Sequence, residues 1–169
     1  LNPWVVGLHF IVSTVLIAIA SILVWRVYRP EHQPIPYRAY LLSPPIAFIG
    51  FVALAIGVVV TGAGPHAGDA NAPRNELNLE ILEHVHSYPA YLVTLLALIS
   101  LVVLYRVRGE LPLAFKINAL LVIALVLQAA IGIAQARMGV PPILVGLHML
   151  GASVIASLLT FQWLVTRAK

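Results

Sequence analysis

Cysteine is absent from this 169-residue chain. That removes disulfides, thiolate metal sites and cysteine nucleophiles, and leaves the redox compartment unreadable from cysteine usage. Charge is scarce too: 9% of the residues are Asp, Glu, Lys or Arg against 61% hydrophobic. With a mean hydropathy of +0.98, the composition is that of a membrane protein with no room for a soluble domain. The opening residues lack the basic, apolar and small-residue regions of a signal peptide. Because the chain starts at Leu1 rather than Met and enters an apolar run within three residues, the N-terminus reads as a cut. The glycine-rich run Thr61-Gly62-Ala63-Gly64-Pro65-His66-Ala67-Gly68-Asp69 lacks the Lys-Ser/Thr ending of a phosphate loop, so nucleotide binding is excluded. As a cap over a bundle it offers His66 and, further on, Arg74 to an anionic group, though an ordinary glycine turn accounts for it better.

What is present is apolar length. Hydropathy marks five spans, at about residues 4–25, 45–62, 79–105, 117–136 and 142–165, each near the ~20 residues needed to cross a bilayer. The expected fold is an all-α membrane protein of five transmembrane helices, with helices two to five forming an antiparallel four-helix bundle and helix one at its edge. The net charge of +4 is topological and does not mark a nucleic-acid surface. Arg26, Arg29, Arg38, Arg106, Arg108, Lys116, Arg167 and Lys169 fall on one side of the predicted bundle, and only Arg74 and Arg137 on the other. The positive-inside rule then sets the N-terminus outside and the C-terminus in the cytoplasm of a multi-pass plasma-membrane protein.

The chain also repeats itself. Val6-Gly7-Leu8-His9 recurs as Val145-Gly146-Leu147-His148, and at the same offset of 139 residues Pro3 aligns with Pro142 and Val15 with Val154. A fixed-period match indicates duplicated units. If helix five copies helix one, residues 44–169 form one complete four-helix half, 29–43 a cytoplasmic loop, and 1–28 the last helix of an upstream half. A five-helix protein whose end helices converged on one small-residue packing pattern is the alternative.

An ionisable side chain inside a membrane is a functional candidate by default. Helices one, three and five run the same way, and His86 lies roughly 10 Å and His148 roughly 9 Å below their helix starts, with His9 at similar depth. Two neutral imidazoles facing each other across a bundle are what a six-coordinate low-spin haem iron requires; the competing explanation is that each hydrogen-bonds a carbonyl of a neighbouring helix. Glu83, three residues before His86, is expected to share its face and is either a proton-transfer group or an acid near a helix start. His84, two residues from His86, points elsewhere and reads as an interfacial side chain. Pro89 frees the Val85 carbonyl and predicts a kink. Helix four adds Gln128 and Gln135 in its outer half, with Gly132 allowing close helix approach.

In this order and topology, Gly7-Leu8-His9, Val60-Thr61-Gly62-Ala63-Gly64, Glu83-His84-Val85-His86, Leu127-Gln128-Ala129-Ala130-Ile131-Gly132 and Gly146-Leu147-His148 resemble the haem A synthases of aerobic bacteria and mitochondria, over essentially the whole chain. That family has eight helices in two pseudo-symmetric halves, each with a pair of haem-ligating histidines. The resemblance implies that His86 and His148 ligate the haem b of the second half, with Gln128 at the pocket rim. It implies that His9 is one ligand of the first-half site, where haem O is oxidised at its C8 methyl to a formyl group. The partner of His9 and the family's catalytic acid then lie upstream of Leu1. Glu83 occupies the spacing of that acid, but in the cofactor half, and the paired cysteines of many members are missing. Haem O synthase and an electron carrier are the implied partners, besides lipid. The competing function is a non-enzymatic bis-His cytochrome b serving a quinone partner; a haem-free transporter or packing subunit is a third.

Overall fold

The computed structural model describes residues 2–28, 34–64, 71 and 73–167. They form five helices, α1 (Pro3–Tyr28), α2 (Tyr37–Ala63), α3 (Leu79–Tyr105), α4 (Pro112–Arg137) and α5 (Pro142–Thr166). All five are long and apolar enough to cross a membrane, which makes this a multi-pass membrane architecture, and no strand occurs among the described residues. His32, His66 and Asp69 lie outside them.

The helix starts follow local chemistry. The Asn78 side chain accepts from Ile81 N at 3.1 Å and caps α3, while α4 and α5 begin on Pro112 and Pro142, where a missing N–H costs nothing. The α4–α5 turn closes with Gly139 in the left-handed region (φ +72°), which glycine adopts freely. The limits of α3 are those read from hydropathy. Helix α2 starts eight residues earlier than that reading, because Pro44 and Pro45 lie inside it. The carbonyls they leave without an N–H partner, on Tyr40 and Leu41, belong to exposed residues. The segment expected to be loop up to residue 43 is therefore helical from Tyr37.

Helices α2, α3, α4 and α5 pack in sequence, and α2 also meets α5, closing a four-helix ring; α1 lies outside it against α2 and α5. The diagonal pairs α2/α4 and α3/α5 do not pack, so whatever spans the middle must be side chains. Across the waist those are Ile46, Val93, Leu121 and Leu159, all essentially inaccessible. Gly50 is required there, because a Cβ at that position would come within 2.5 Å of Leu159 Cδ1. Truncating such a packed leucine to alanine costs about 2–5 kcal/mol.

Toward the α3–α4 end, each ring helix contributes a buried polar side chain: Ser43, Ser100, Asn118 and Gln162, joined by Thr166, none more than 2% exposed. Ser43 Oγ donates to Gln162 Oε1 at 3.3 Å, Thr166 Oγ1 donates to Gln162 O at 2.6 Å, and Asn118 Nδ2 donates to Ala97 O at 2.9 Å. An apolar cluster of Ala39, Leu104, Leu111 and Ala114 lies at the same end of the bundle.

Candidate functional site

The site lies at the opposite end, where the α2–α3 and α4–α5 connections emerge. His86 stands seven residues into α3 and His148 six into α5. Those two helices are diagonal to each other, so imidazoles turned inward at equal depth meet across the ring. Their centres are 6.4 Å apart and their planes cross at 69°. These are the two histidines that depth and repeat singled out, and the structure brings them together.

Each ring is backed by a glycine on the neighbouring helix. A Cβ at Gly57 of α2 would lie 2.9 Å from His86 Cε1, and one at Gly132 of α4 would lie 3.1 Å from His148 Cε1. A side chain at either place would crowd the imidazole that it faces, so the two glycines make room for the rings. The pairs Gly57/His86 and Gly132/His148 are arranged alike in the two halves of the ring. Gly132 was read as a close-approach position; Gly57 was missed, though counting six residues back from the end of α2 puts it at the depth of His86.

The hydrogen bonds differ between the rings. His86 Nδ1 donates to Ala53 O of α2 at 3.0 Å. Because a carbonyl can only accept, the proton is on Nδ1 and the Nε2 lone pair is left available, the tautomer that metal-binding histidines adopt. His86 thus bonds a neighbouring helix's carbonyl with one nitrogen, as the competing explanation requires, and retains the other. His148 Nδ1 is buried and has no hydrogen-bond partner among the described residues. The backbone beneath it is fixed instead: Gln128 Nε2 donates to His148 O at 2.7 Å, tying α4 to α5. Gly151 makes room for that carboxamide, since a Cβ there would overlap Gln128 Oε1.

The other candidates lie elsewhere. Glu83 is exposed and makes no hydrogen bond or ion pair among the described residues, so it does not join His86 on the inner face as its spacing suggested. Three residues along a helix is about 60° short of a full turn, and where His86 points inward that offset suffices to turn Glu83 out. His84 is also exposed and stacks on Tyr88, centres 6.3 Å apart. His9 is exposed on α1, its ring edge-on to Phe10 with centres 6.0 Å apart, and it does not join the pair. Gln128 lies beside His148, whereas most of the 61–69 run falls outside the described residues.

Two imidazoles on opposite sides of one metal ion, with bonds of about 2.0–2.1 Å and ~1.1 Å from nitrogen to ring centre, would have centres about 6.3 Å apart. The observed 6.4 Å matches that distance. Among the described residues no group of three or more His, Cys, Asp or Glu could hold a metal ion. The chain matches no family model, no curated protein and no solved structure.

Proposed function

We propose that His86 and His148 are the axial ligands of a haem b, and that the chain carries the cofactor half of a haem A synthase. The reading is supported above all by one observation: two inward imidazoles on diagonal helices, their centres 6.4 Å apart. Bound between them, the haem supplies reversible one-electron chemistry. The chain's own residues fix the geometry. Ala53 O holds the His86 tautomer, Gly57 and Gly132 make room for the rings, and Gln128 anchors the α5 backbone at His148.

In this reading α2 to α5 form the haem b half and His9, turned away, serves a neighbouring site at which haem O is oxidised at C8 to the formyl stage. Haem O reaches the protein from a haem O synthase and electrons leave to a carrier; the N-terminus faces outward and the C-terminus the cytoplasm of a cell membrane. The exposure of Glu83 leaves the imidazole pair without an acid beside it among the described residues. That favours electron transfer rather than bond-making at this site, and keeps a cytochrome b working with a quinone as the second reading.

The test is spectroscopic. His86→Ala or His148→Ala should each abolish the low-spin bis-imidazole spectrum of the purified protein, while His84→Ala and His32→Ala preserve it. Loss of the spectrum in His84→Ala alone, or its persistence without His86, would sink the assignment. In the intact protein His9→Ala should impair haem A formation and leave the haem b in place; an unchanged haem A yield would leave only the cytochrome reading.

A further inference from the structure

The two imidazoles are fixed unequally: His86 Nδ1 has the Ala53 carbonyl, and His148 Nδ1 has nothing although it is buried. Only a few buried polar atoms are left unpaired in a folded protein, and each calls for an explanation. At the same end of the bundle a second such atom occurs on the helix that backs His148. Gln135 Oε1 of α4 is buried and likewise unpartnered among the described residues. The two are complementary, since the nitrogen can donate its proton and the amide oxygen can only accept one.

Helix geometry puts them at one level. Side chains lean toward the N-terminus of their helix, so the His148 ring lies further toward the α4–α5 turn than its own backbone. Antiparallel α4 marks that course residue by residue. Gln128 bonds the His148 carbonyl, Gly132, one turn on, faces Cε1 and lies nearest Nδ1 after it, and Gln135, seven residues after Gln128 and so on its face, follows about 4.5 Å beyond Gly132. No direct bond joins Gln135 Oε1 to Nδ1, and water is the smallest molecule that would accept from one and donate to the other. A buried water requires at least two polar partners, and these atoms are two.

We propose that Gln135 is the positioning residue for His148, holding its Nδ1–H through one buried water between α4 and α5. His148 then has the tautomer of His86, with Nε2 directed to the shared centre. The consequence for haem rests on the proposed function; the link between Gln135 and His148 does not.

The experiment separates the two. In 15N-histidine-labelled protein reconstituted in lipid nanodiscs without added haem, the His148 signal, identified by its loss in His148→Ala, should report the Nδ1–H tautomer. Gln135→Leu should convert it to a mixture with Nε2–H, and Gln135→Glu, which keeps an acceptor, should restore it. In haem titrations of the same proteins, Gln135→Leu should bind about 10–100-fold more weakly, as loss of an outer-shell partner does, with Gln135→Glu recovering most of the affinity. A wild-type His148 found as Nε2–H, or a tautomer ratio unchanged in Gln135→Leu, overturns the proposal; the first holds even if that variant fails to fold. If the tautomer responds as stated but wild type takes up no haem, the positioning role stands and the haem reading falls.

Discussion

Replacing Gly57 by alanine adds a single methyl group, and the structure says where it goes. Its carbon would sit 2.9 Å from His86 Cε1 and 3.3 Å from Nδ1. Non-bonded carbons settle at about 3.5–4.0 Å, so the imidazole must retreat by more than half an ångström. The Nδ1 bond to Ala53 O, now 3.0 Å, reaches the limit of a hydrogen bond on that displacement. Losing it costs about 0.5–1.5 kcal/mol and overpacking adds about 1–3 kcal/mol. The better helix propensity of alanine returns up to ~1 kcal/mol, leaving a net loss of about 0.5–4.5 kcal/mol. Gly146 supplies the control, because a Cβ there meets nothing within 4 Å, and Gly146→Ala gains propensity without penalty. Haem titration followed at the Soret band, with thermal unfolding in the same detergent, should therefore show roughly tenfold weaker binding and a lower melting temperature for Gly57→Ala, at 1.36 kcal/mol per tenfold, and neither for Gly146→Ala. Equal behaviour of the two variants would refute the idea that Gly57 exists to clear the His86 ring.

Two further outcomes follow. Gly151→Ala should displace the Gln128 carboxamide and Gln128→Leu should remove it, so both should loosen α4 from α5 by a similar small amount. Interhelical hydrogen bonds in membranes average about 0.6 kcal/mol, and a double variant no less stable than Gln128→Leu alone is the result expected in unfolding measurements; full additivity would argue that the two act separately. The lack of native cysteine makes single-cysteine labelling clean: Asn78→Cys should react with an impermeant maleimide from outside intact cells and Gly109→Cys only after permeabilisation, and the reverse pattern would invert the proposed topology.

The spans were legible because lipid-crossing length and apolarity are properties of composition, and the pairing of His86 with His148 because depth along parallel helices is a count of residues. Three features were not. The start of α2 was hidden by Pro44-Pro45, which reads as a break in an isolated sequence yet is tolerated where the freed carbonyls belong to exposed residues. The outward turn of Glu83 was hidden because spacing gives neighbours on a helix but not which of them faces the interior. The roles of Ala53, Gly57 and Gly151 were hidden because they offer a carbonyl or an absence of side chain, which no motif records. Gln135 was visible as a polar residue at the right depth; only burial revealed that its oxygen lacks a partner.

The polar layer, with its Ser43–Gln162 and Asn118–Ala97 bonds, acts at a distance as a vernier. Apolar helices in lipid can slide along one another at little cost, whereas amide and hydroxyl pairs cannot exchange partners without a full turn of mismatch. Gln162 is fourteen residues beyond His148 on α5, about 21 Å along the axis, and its bond to Ser43 of α2 indexes the very helix whose Ala53 and Gly57 seat His86. A slip of one residue, about 1.5 Å, would carry one imidazole out of level with the other. The spacing of the two rings is thus gauged from the far end of the bundle, and a mutation there can shift an imidazole it never touches.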